Sequence, residues 1–518
     1  MLNQGIGSWP ARRARTGPDR TALVFGEDRV SYRRLDAEVS ALAHALRGLG
    51  VHVGDRVAYQ GRNHPSFLVA LFATGLLGAV FVPLDPRLAE PEVLYRLADS
   101  GSTVLIHDGS AAAAGRTAST GVRHRVAVDD SRAAEDELGY ARLLENAERG
   151  RIDRPVPLEA PCMIMYTSGT TGRAKGAVLT HGNIVWNAMN VLVDSDLAAD
   201  DVALACAPLF HAAALNMTAL PTLLKGAAVV LTAGFDAALA LDLIERERVT
   251  QMFGVPTMFD AMAAHPRWPD ADLSSLRRIL CGGAPLPRRI LDCYLARGLP
   301  FGQGYGATEA GPGILYLDAA SIGSKGGSAG LPHFFADVRV VRPDGDDAAV
   351  GERGEVLVSG PHVSEGYWER PEETAAAITP DGWFRTGDVA YVDGDGYAYV
   401  VDRVKDMIIS GGENVYPAEV EDVLLAHPAV AECAVLGVPD DKWGEVGHAV
   451  VVLVPGSDAV GADLLAFLRS RLAAFKVPKS CTFVTGLPRT GPGKVAKPLV
   501  RELIAGHTPD RTDESANR

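Results

Sequence analysis

The chain has 518 residues, 47% hydrophobic and 22% charged, with a net charge of −14. So long a chain exceeds one hydrophobic core, and two or three globular domains are expected. The acidic balance has no basic stripe, which excludes nucleic acid as a partner, and no apolar run reaches the about 18 residues of a membrane span.

The first residues carry no apolar signal core. Cys162, Cys206, Cys281, Cys293, Cys433 and Cys481 lie far apart without metal-ligand spacing, which predicts reduced, buried thiols in a cytoplasmic protein. Thirteen histidines form no H-E-x-x-H pattern, so no structural metal is expected.

In chain order, residues 1–34 predict a cap with short strands at Thr21–Phe25 and Val30–Tyr32. Leu35, Val39, Leu42, Leu46 and Leu49 then recur at helical spacing up to Gly50. A strand Arg56–Tyr59, a helix Pro65–Leu77, a strand Ala79–Pro83, a helix Glu90–Ser100 and a strand Thr103–Ile106 follow. That alternation predicts a parallel α/β sheet. Residues 109–150 read as a peripheral connection around one strand, Val126–Val128. The rhythm resumes with a helix from Gly182, a strand Asp201–Ala207 and a helix over Asn216–Leu224. Strands at Ala228–Leu231, Gln251–Phe253 and Arg278–Cys281 alternate with helices over Asp236–Arg248 and Met258–Ala264. Beyond residue 334, Val338–Val341, Gly354–Val358 and Tyr397–Val401 are β-rich between Asp/Gly turns, and suit a small barrel or sheet. After Asp406 the pattern predicts a compact α+β unit: a helix Val415–Ala426, strands Ala431–Gly437 and His448–Val454, a helix Asp463–Leu472 and a strand Cys481–Val484. Residues 506–518 are polar and predict a disordered tail.

One loop stands out, Tyr166-Thr-Ser-Gly-Thr-Thr-Gly-Arg-Ala-Lys-Gly176, between apolar Met163–Met165 and Ala177–Leu179. Glycines allow successive backbone N–H groups to turn inward as an anion nest. Hydroxyls and Lys175 would make that anion a polyphosphate, although an ordinary β-hairpin with a Gly-rich turn satisfies the same residues. The spacing is not that of a Walker loop, G-x-x-x-x-G-K-S/T, because Gly169 and Gly172 are too close and Gly176 stands where Ser or Thr belongs. Further along come Cys281–Pro285, Gly302-Gln-Gly-Tyr-Gly-Ala-Thr-Glu309, Trp383-Phe-Arg-Thr-Gly-Asp388, Asp402-Arg-Val-Lys-Asp406, Ser410–Pro417 and Pro488-Arg-Thr-Gly-Pro-Gly-Lys494. Taken singly, Asp388 and Glu309 read more readily as turn or surface carboxylates, Tyr305 as core and Lys494 as an exposed loop lysine.

Taken in order, these motifs resemble the acyl-adenylate-forming superfamily, and most of all its acyl-CoA synthetases, over residues 20 to 505. Ala174 departs from the family's T-T-G-x-P-K-G loop, where proline stands. The resemblance implies a large N-terminal domain, 1–404, with stacked, mostly parallel sheets and a small β-barrel. A small mobile α+β domain, 405–505, follows a hinge at Lys405. It also implies ATP, Mg2+ and coenzyme A. Thr167, Ser168, Gly169, Thr170, Thr171 and Gly172 with Lys175 would hold the β- and γ-phosphates. Glu309 would bind the metal and Thr308 would face the α-phosphate; oxygen ligands suit a hard cation. Gly282, Gly283 and Ala284 would line the adenine and Tyr305 would stack on it. Asp388 and Arg403 would take the ribose, and Lys494 would bridge the substrate carboxylate and the α-phosphate. Gly411, Gly412 and Glu413 would join the thiol tunnel.

The acyl pocket would be built from His211, Leu215, Asn216, Phe253, Val255, Gly304, Gly306, Ala307 and Ile314. The run Pro208–Leu215 has no carboxylate to pair an ammonium. An unpaired buried ammonium is costly, so a fatty, aryl or polycyclic acid is expected. His211 is either a gate beside the thiol tunnel or a hydrogen-bonded core histidine. The expected partners are a small carboxylic acid, ATP and CoA. A separate carrier protein in place of CoA, a homodimer, a luciferase-like oxygenase and a non-catalytic nucleotide-binding scaffold stay open.

Overall fold

The computed structural model describes residues 3–109, 120–148, 150–167, 173–284, 286–403, 408–415, 417–488, 495, 497–505 and 510–511. The chain forms two compact units. The first takes in Met1–Pro86, Arg96–Tyr166 and Gly176–Asp402, the second Arg87–Tyr95, Thr167–Lys175 and Arg403–Arg518.

Two mostly parallel sheets carry the first unit. A nine-stranded sheet has the order Leu331–Pro332, Leu315–Leu317, Phe301–Tyr305, Arg278–Cys281, Gln251–Gly254, Val202–Ala205, Ala228–Leu231, Thr21–Phe25, Asp28–Ser31. A seven-stranded sheet has the order Leu138–Gly139, His124–Ala127, Ser102–His107, Arg56–Gln60, Val80–Leu84, Pro161–Thr167, Lys175–Thr180. Val80–Leu84 and Gln251–Gly254 are buried along their whole length, as strands covered on both faces must be. The helix Pro65–Leu77 is buried from Ser66 onward and apolar all round, with Pro65 in its first turn and Gly78 in the left-handed conformation at its end. Residues of both sheets, Val57, Phe81, Leu204 and Val229 among them, belong to one continuous core.

Several expectations need correction. The N-terminal cap also contains a helix, Trp9–Thr16, that buries Trp9. The stretch read as a peripheral connection around one strand holds that strand at His124–Ala127 and adds an edge strand, Leu138–Gly139. It also adds a helix, Tyr140–Asn146, that buries Tyr140. The helix placed over Asn216–Leu224 is interrupted by a π-helical segment, Leu215–Ala219. The β-rich module is a four-stranded sheet, Asp337–Val341, Gly354–Ser359, Phe384–Val392, Ala398–Arg403. Its third strand was missed, because Gly387 and Asp388 interrupt the apolar alternation. Five cysteines are buried and reduced, but Cys293 is exposed; burial pushes the Cys206 thiol up to about 12. No helix among the described residues is long and apolar enough to cross a membrane.

The second unit is built on the hairpin Val430–Asp440 and Gly444–Leu453, to which Ser480–Phe483 adds in parallel. Helices Pro417–Leu425 and Gly461–Arg469 bury Val420, Leu424, Leu464, Leu465 and Leu468 in its core. The expected disorder of 506–518 does not extend to Asp510–Arg511, which pairs with Ser480–Phe483; residues 506–509 and 512–518 lie outside the described residues. Buried Lys476 donates to Glu92 at 2.7 Å and to Glu419 at 2.8 Å. Removing one member of such a group would strand a buried charge.

Candidate active site

In the first unit the expected residues gather where parallel strands end. Gly254 pairs with Cys281, and Cys281 with Gln303, so Gln251–Gly254, Arg278–Cys281 and Phe301–Tyr305 finish at one edge. A β-carbon added at Gly282 would lie 3.1 Å from the Gly304 carbonyl oxygen and 3.2 Å from the Phe253 ring. Residues assigned to adenine (Gly282) and to the acyl group (Phe253, Gly304) are therefore neighbours. Gly283 turns the chain at φ 81°, a conformation that favours glycine, and Ala284 follows it, half-buried. Leu215 and Ile314 are fully buried and Val255 is half-buried. His211 is exposed, its ring 4.6 Å from that of Phe210.

Thr308 and Glu309 sit on a 3-10 turn, Thr308–Ala310, that Gly311 ends at φ 87°. Gly306 and Ala307 lead into it, and Gly306 lies so close to the Pro312 carbonyl that a β-carbon would overlap it. The Ile314 amide donates to the Tyr305 carbonyl at 3.2 Å, closing the loop. Asn216, expected in the acyl pocket, donates its amide to the Gly311 carbonyl at 2.8 Å. Asn187 in turn donates to the Asn216 carbonyl at 2.8 Å and accepts from the Gly313 amide at 2.9 Å. Asn187 was missed. Its signal was present, since Asn183, Asn187 and Asn190 recur at helical spacing and all three are buried on the helix His181–Asp194. Asn183 holds the carbonyls of Pro361 and Val363, and Asn190 accepts from the Phe335 amide.

Asp388 lies inside a strand, not after a turn. The register of Gly354–Ser359 against Phe384–Val392 shifts between Glu355 and Leu357, so Thr386, Gly387 and Asp388 bulge against Val356. Gly387 has φ 72°, and the Thr386 hydroxyl donates to the Val356 carbonyl while accepting from the Asp388 amide. The bulge aims the Asp388 carboxylate at Tyr305, whose hydroxyl donates to Oδ2 at 2.6 Å.

Ser168, Gly169, Thr170, Thr171 and Gly172 lie outside the described residues, as do Lys405 and Lys494. The ends of the Gly-rich loop are anchored. The Tyr166 hydroxyl donates to Asp99 at 2.8 Å, and Arg370 pairs with the same carboxylate. The Gly176 carbonyl accepts from the Trp368 amide at 2.8 Å. Tyr367, also missed, bridges Ala177 antiparallel and donates its hydroxyl to Glu309 Oε1 at 3.0 Å.

Thr167, Lys175, Arg403, Gly411, Gly412 and Glu413 fall in the second unit. The Thr167 hydroxyl is 3.5 Å from the Lys175 carbonyl. Arg403 ends the strand Ala398–Arg403. Ser410 pairs with Glu413 across Gly411 and Gly412, whose φ values of 59° and 84° mark a two-residue hairpin of type I′. Glu413 pairs with Arg87 at 2.7 Å.

No group of three or more His, Cys, Asp or Glu that could hold a metal ion occurs among the described residues. Mg2+ does not require one, because it keeps waters and binds through one or two carboxylates plus substrate phosphates. Glu309, which follows Thr308 on the turn and accepts a hydrogen bond from Tyr367, fits that donor set.

Glycine-lined turns at the carboxyl ends of parallel strands are where α/β enzymes bind nucleotides. The family described as AMP-binding enzyme matches residues 10–368, and the AMP-binding enzyme C-terminal domain matches 419–494. A feruloyl-CoA synthase of Amycolatopsis sp is 56% identical over 97% of this chain and 99% of its own length. An indoleacetate–CoA ligase of Aromatoleum aromaticum is 42% identical over 97% and 99%. The o-succinylbenzoate CoA synthetase of Bacillus subtilis, as a double mutant bound with its product analogue OSB-NCoA, has a TM-score of 0.86 and 33% identity, covering 98% of this chain and 99% of that one. The same enzyme in complex with ATP and magnesium ion has a TM-score of 0.70 and 34% identity, covering 95% and 99%. The chain belongs to the AMP-binding enzyme family and is an AMP-forming acyl-CoA synthetase, which joins a carboxylic acid to CoA through an acyl-AMP intermediate.

Proposed function

We propose that the acid is an aryl acid of the hydroxycinnamate type, such as ferulate, and that the reaction runs in the cytoplasm. The observation that carries this reading is the 56% identity to a feruloyl-CoA synthase, spread over 97% of the chain. The residues assigned to the acyl pocket agree with it. Phe253 and Val255 offer aromatic and apolar surface, and Pro208–Leu215 offers an incoming ammonium no carboxylate.

In the first step the substrate carboxylate attacks the α-phosphorus of ATP and pyrophosphate leaves. Two anions must meet, so preorganised donors dominate the catalysis. Residues 167–172 with Lys175 hold the β- and γ-phosphates, Thr308 faces the α-phosphate, and Lys494 bridges the attacking carboxylate and the α-phosphate. Gly282, Gly283, Ala284 and Tyr305 take the adenine, and Asp388 and Arg403 the ribose. Glu309 would hold Mg2+, which when bound neutralises charge on the ATP phosphate oxygens. In the second step the CoA thiol attacks the acyl carbonyl and AMP leaves, with Gly411, Gly412 and Glu413 beside the thiol and Lys405 as the hinge residue.

The test is pyrophosphate release and thioester formation with ferulate, indole-3-acetate and a long-chain fatty acid, each with and without CoA. Ferulate should give the highest kcat/KM and a CoA-dependent thioester. A fatty acid preferred over ferulate would overturn the substrate class. Lys494→Ala should cut adenylation about 100-fold and spare thiolation of supplied feruloyl-AMP; equal loss of both steps would remove Lys494 from its assigned role.

A further inference from the structure

The segment Ser364–Arg370 touches three parts of the first unit that ATP activation uses. Its backbone pairs with the strand leaving the Gly-rich loop: the Val178 amide donates to the Gly366 carbonyl at 2.9 Å, and the Trp368 amide to the Gly176 carbonyl at 2.8 Å. Arg370 joins Tyr166, at the entry of the same loop, on the Asp99 carboxylate. The Ser364 amide donates to the Glu309 carbonyl at 2.7 Å, and the Tyr367 hydroxyl donates to Glu309 Oε1 at 3.0 Å. The segment is itself held rigidly. The Ser364 hydroxyl donates to the carbonyls of Val178 and Gly366, and the Tyr367 amide donates to the Thr374 hydroxyl.

We propose that Tyr367 is a positioning residue that fixes the Glu309 carboxylate relative to the strand running from Gly176, so that the cation Glu309 ligates meets a carboxylate already oriented. This rests on the reading of Glu309 as the metal ligand. A glutamate side chain turns about three bonds, and a turn such as Thr308–Ala310 fixes only its backbone. The phenol orients the carboxylate without adding a charge, so it does not compete with the cation. Its own backbone is bridged to Ala177, so it refers the carboxylate to the strand that leaves the loop. Partners of metal ligands commonly set metal affinity in this way.

The experiment measures Mn2+ affinity by electron paramagnetic resonance on the full chain with a non-hydrolysable ATP analogue, beside metal-free binding of the same analogue and thermal melting. Tyr367→Phe keeps the ring and the backbone bridge and removes the hydroxyl. It should weaken Mn2+ binding about tenfold, raise the Mg2+ concentration needed for half-maximal pyrophosphate release by a similar factor, and leave KM for the acid and metal-free analogue binding unchanged. Glu309→Gln should weaken Mn2+ binding further. If Glu309→Gln weakens it and Tyr367→Phe does not, the positioning role is overturned while Glu309 keeps its assignment. If neither variant changes Mn2+ binding, Glu309 is not the ligand and both readings fall. If Tyr367→Phe lowers the melting temperature and weakens metal-free analogue binding equally, the tyrosine is merely structural and the proposal fails.

Discussion

Tyr305 and Asp388 are 83 positions apart in sequence and share a 2.6 Å hydrogen bond. A bond to a charged group is worth about 1.5–3 kcal/mol. Tyr305→Phe should therefore raise KM for ATP roughly tenfold while leaving KM for the acid unchanged in steady-state assays. Asp388→Ala should raise it further, and the double variant should cost less than the sum, because both changes remove one shared contact. Gly306 offers a test of packing at the same loop. A methyl there meets the Pro312 carbonyl, so Gly306→Ala should destabilise the protein by about 3 kcal/mol in urea unfolding. Tyr305, Asp388 and Glu309 each stand in a motif that local sequence marks out. The partners of Asp388 and Glu309 were not, because a hydrogen bond between distant positions leaves no local pattern.

At the scale of elements, helices and strands with a clear period were legible, such as Pro65–Leu77 and Arg278–Cys281. Two of the elements that were missed or misread break period. The π-segment Leu215–Ala219 places Asn216 against Gly311, and such bulges occur often at functional sites. The strand Phe384–Val392 bulges at Gly387, where φ is 72°. A side chain there is strained by about 1–2 kcal/mol. Gly387→Val should turn Asp388 away and raise KM for ATP, with acid binding in calorimetry preserved. The helix His181–Asp194 carries Asn187, which accepts from the Gly313 amide and donates to the carbonyl of Asn216, itself bonded to Gly311. Asn187→Ala leaves the Gly313 amide without this acceptor. It should cost about 2 kcal/mol in urea unfolding, with a larger loss in turnover than in ATP affinity.

For the whole molecule, buried histidines make stability depend on pH. Burial pushes His181 down to about 4 and His362 down to about 4, the latter helped by His333. An unfolded histidine titrates near 6.5. Between these values the unfolded chain binds protons that the folded chain does not. Stability is therefore full above pH 6.5, falls as pH drops through that value, and stops falling near pH 4. Each of the two histidines contributes about 3 kcal/mol to that loss. His64, His107 and His448 are lowered in the same direction by burial. Urea midpoints at pH 7.5 and 5 should differ clearly in the parent protein, and His181→Gln or His362→Gln should narrow the difference.

By itself the sequence determined the α/β alternation, the order of the motifs and the chemistry they imply. These rest on short-range rules: period, turn residues and the spacing of glycines and charges. Tertiary structure decided which of those residues meet. Strand register brought Phe253, Gly282 and Gly304 to one edge, a bulge turned Asp388 onto Tyr305, and the pairing of Tyr367 with Ala177 carried its hydroxyl to Glu309. Such meetings depend on sheet pairing and chain reversal summed over scores of residues, which no window of local sequence contains.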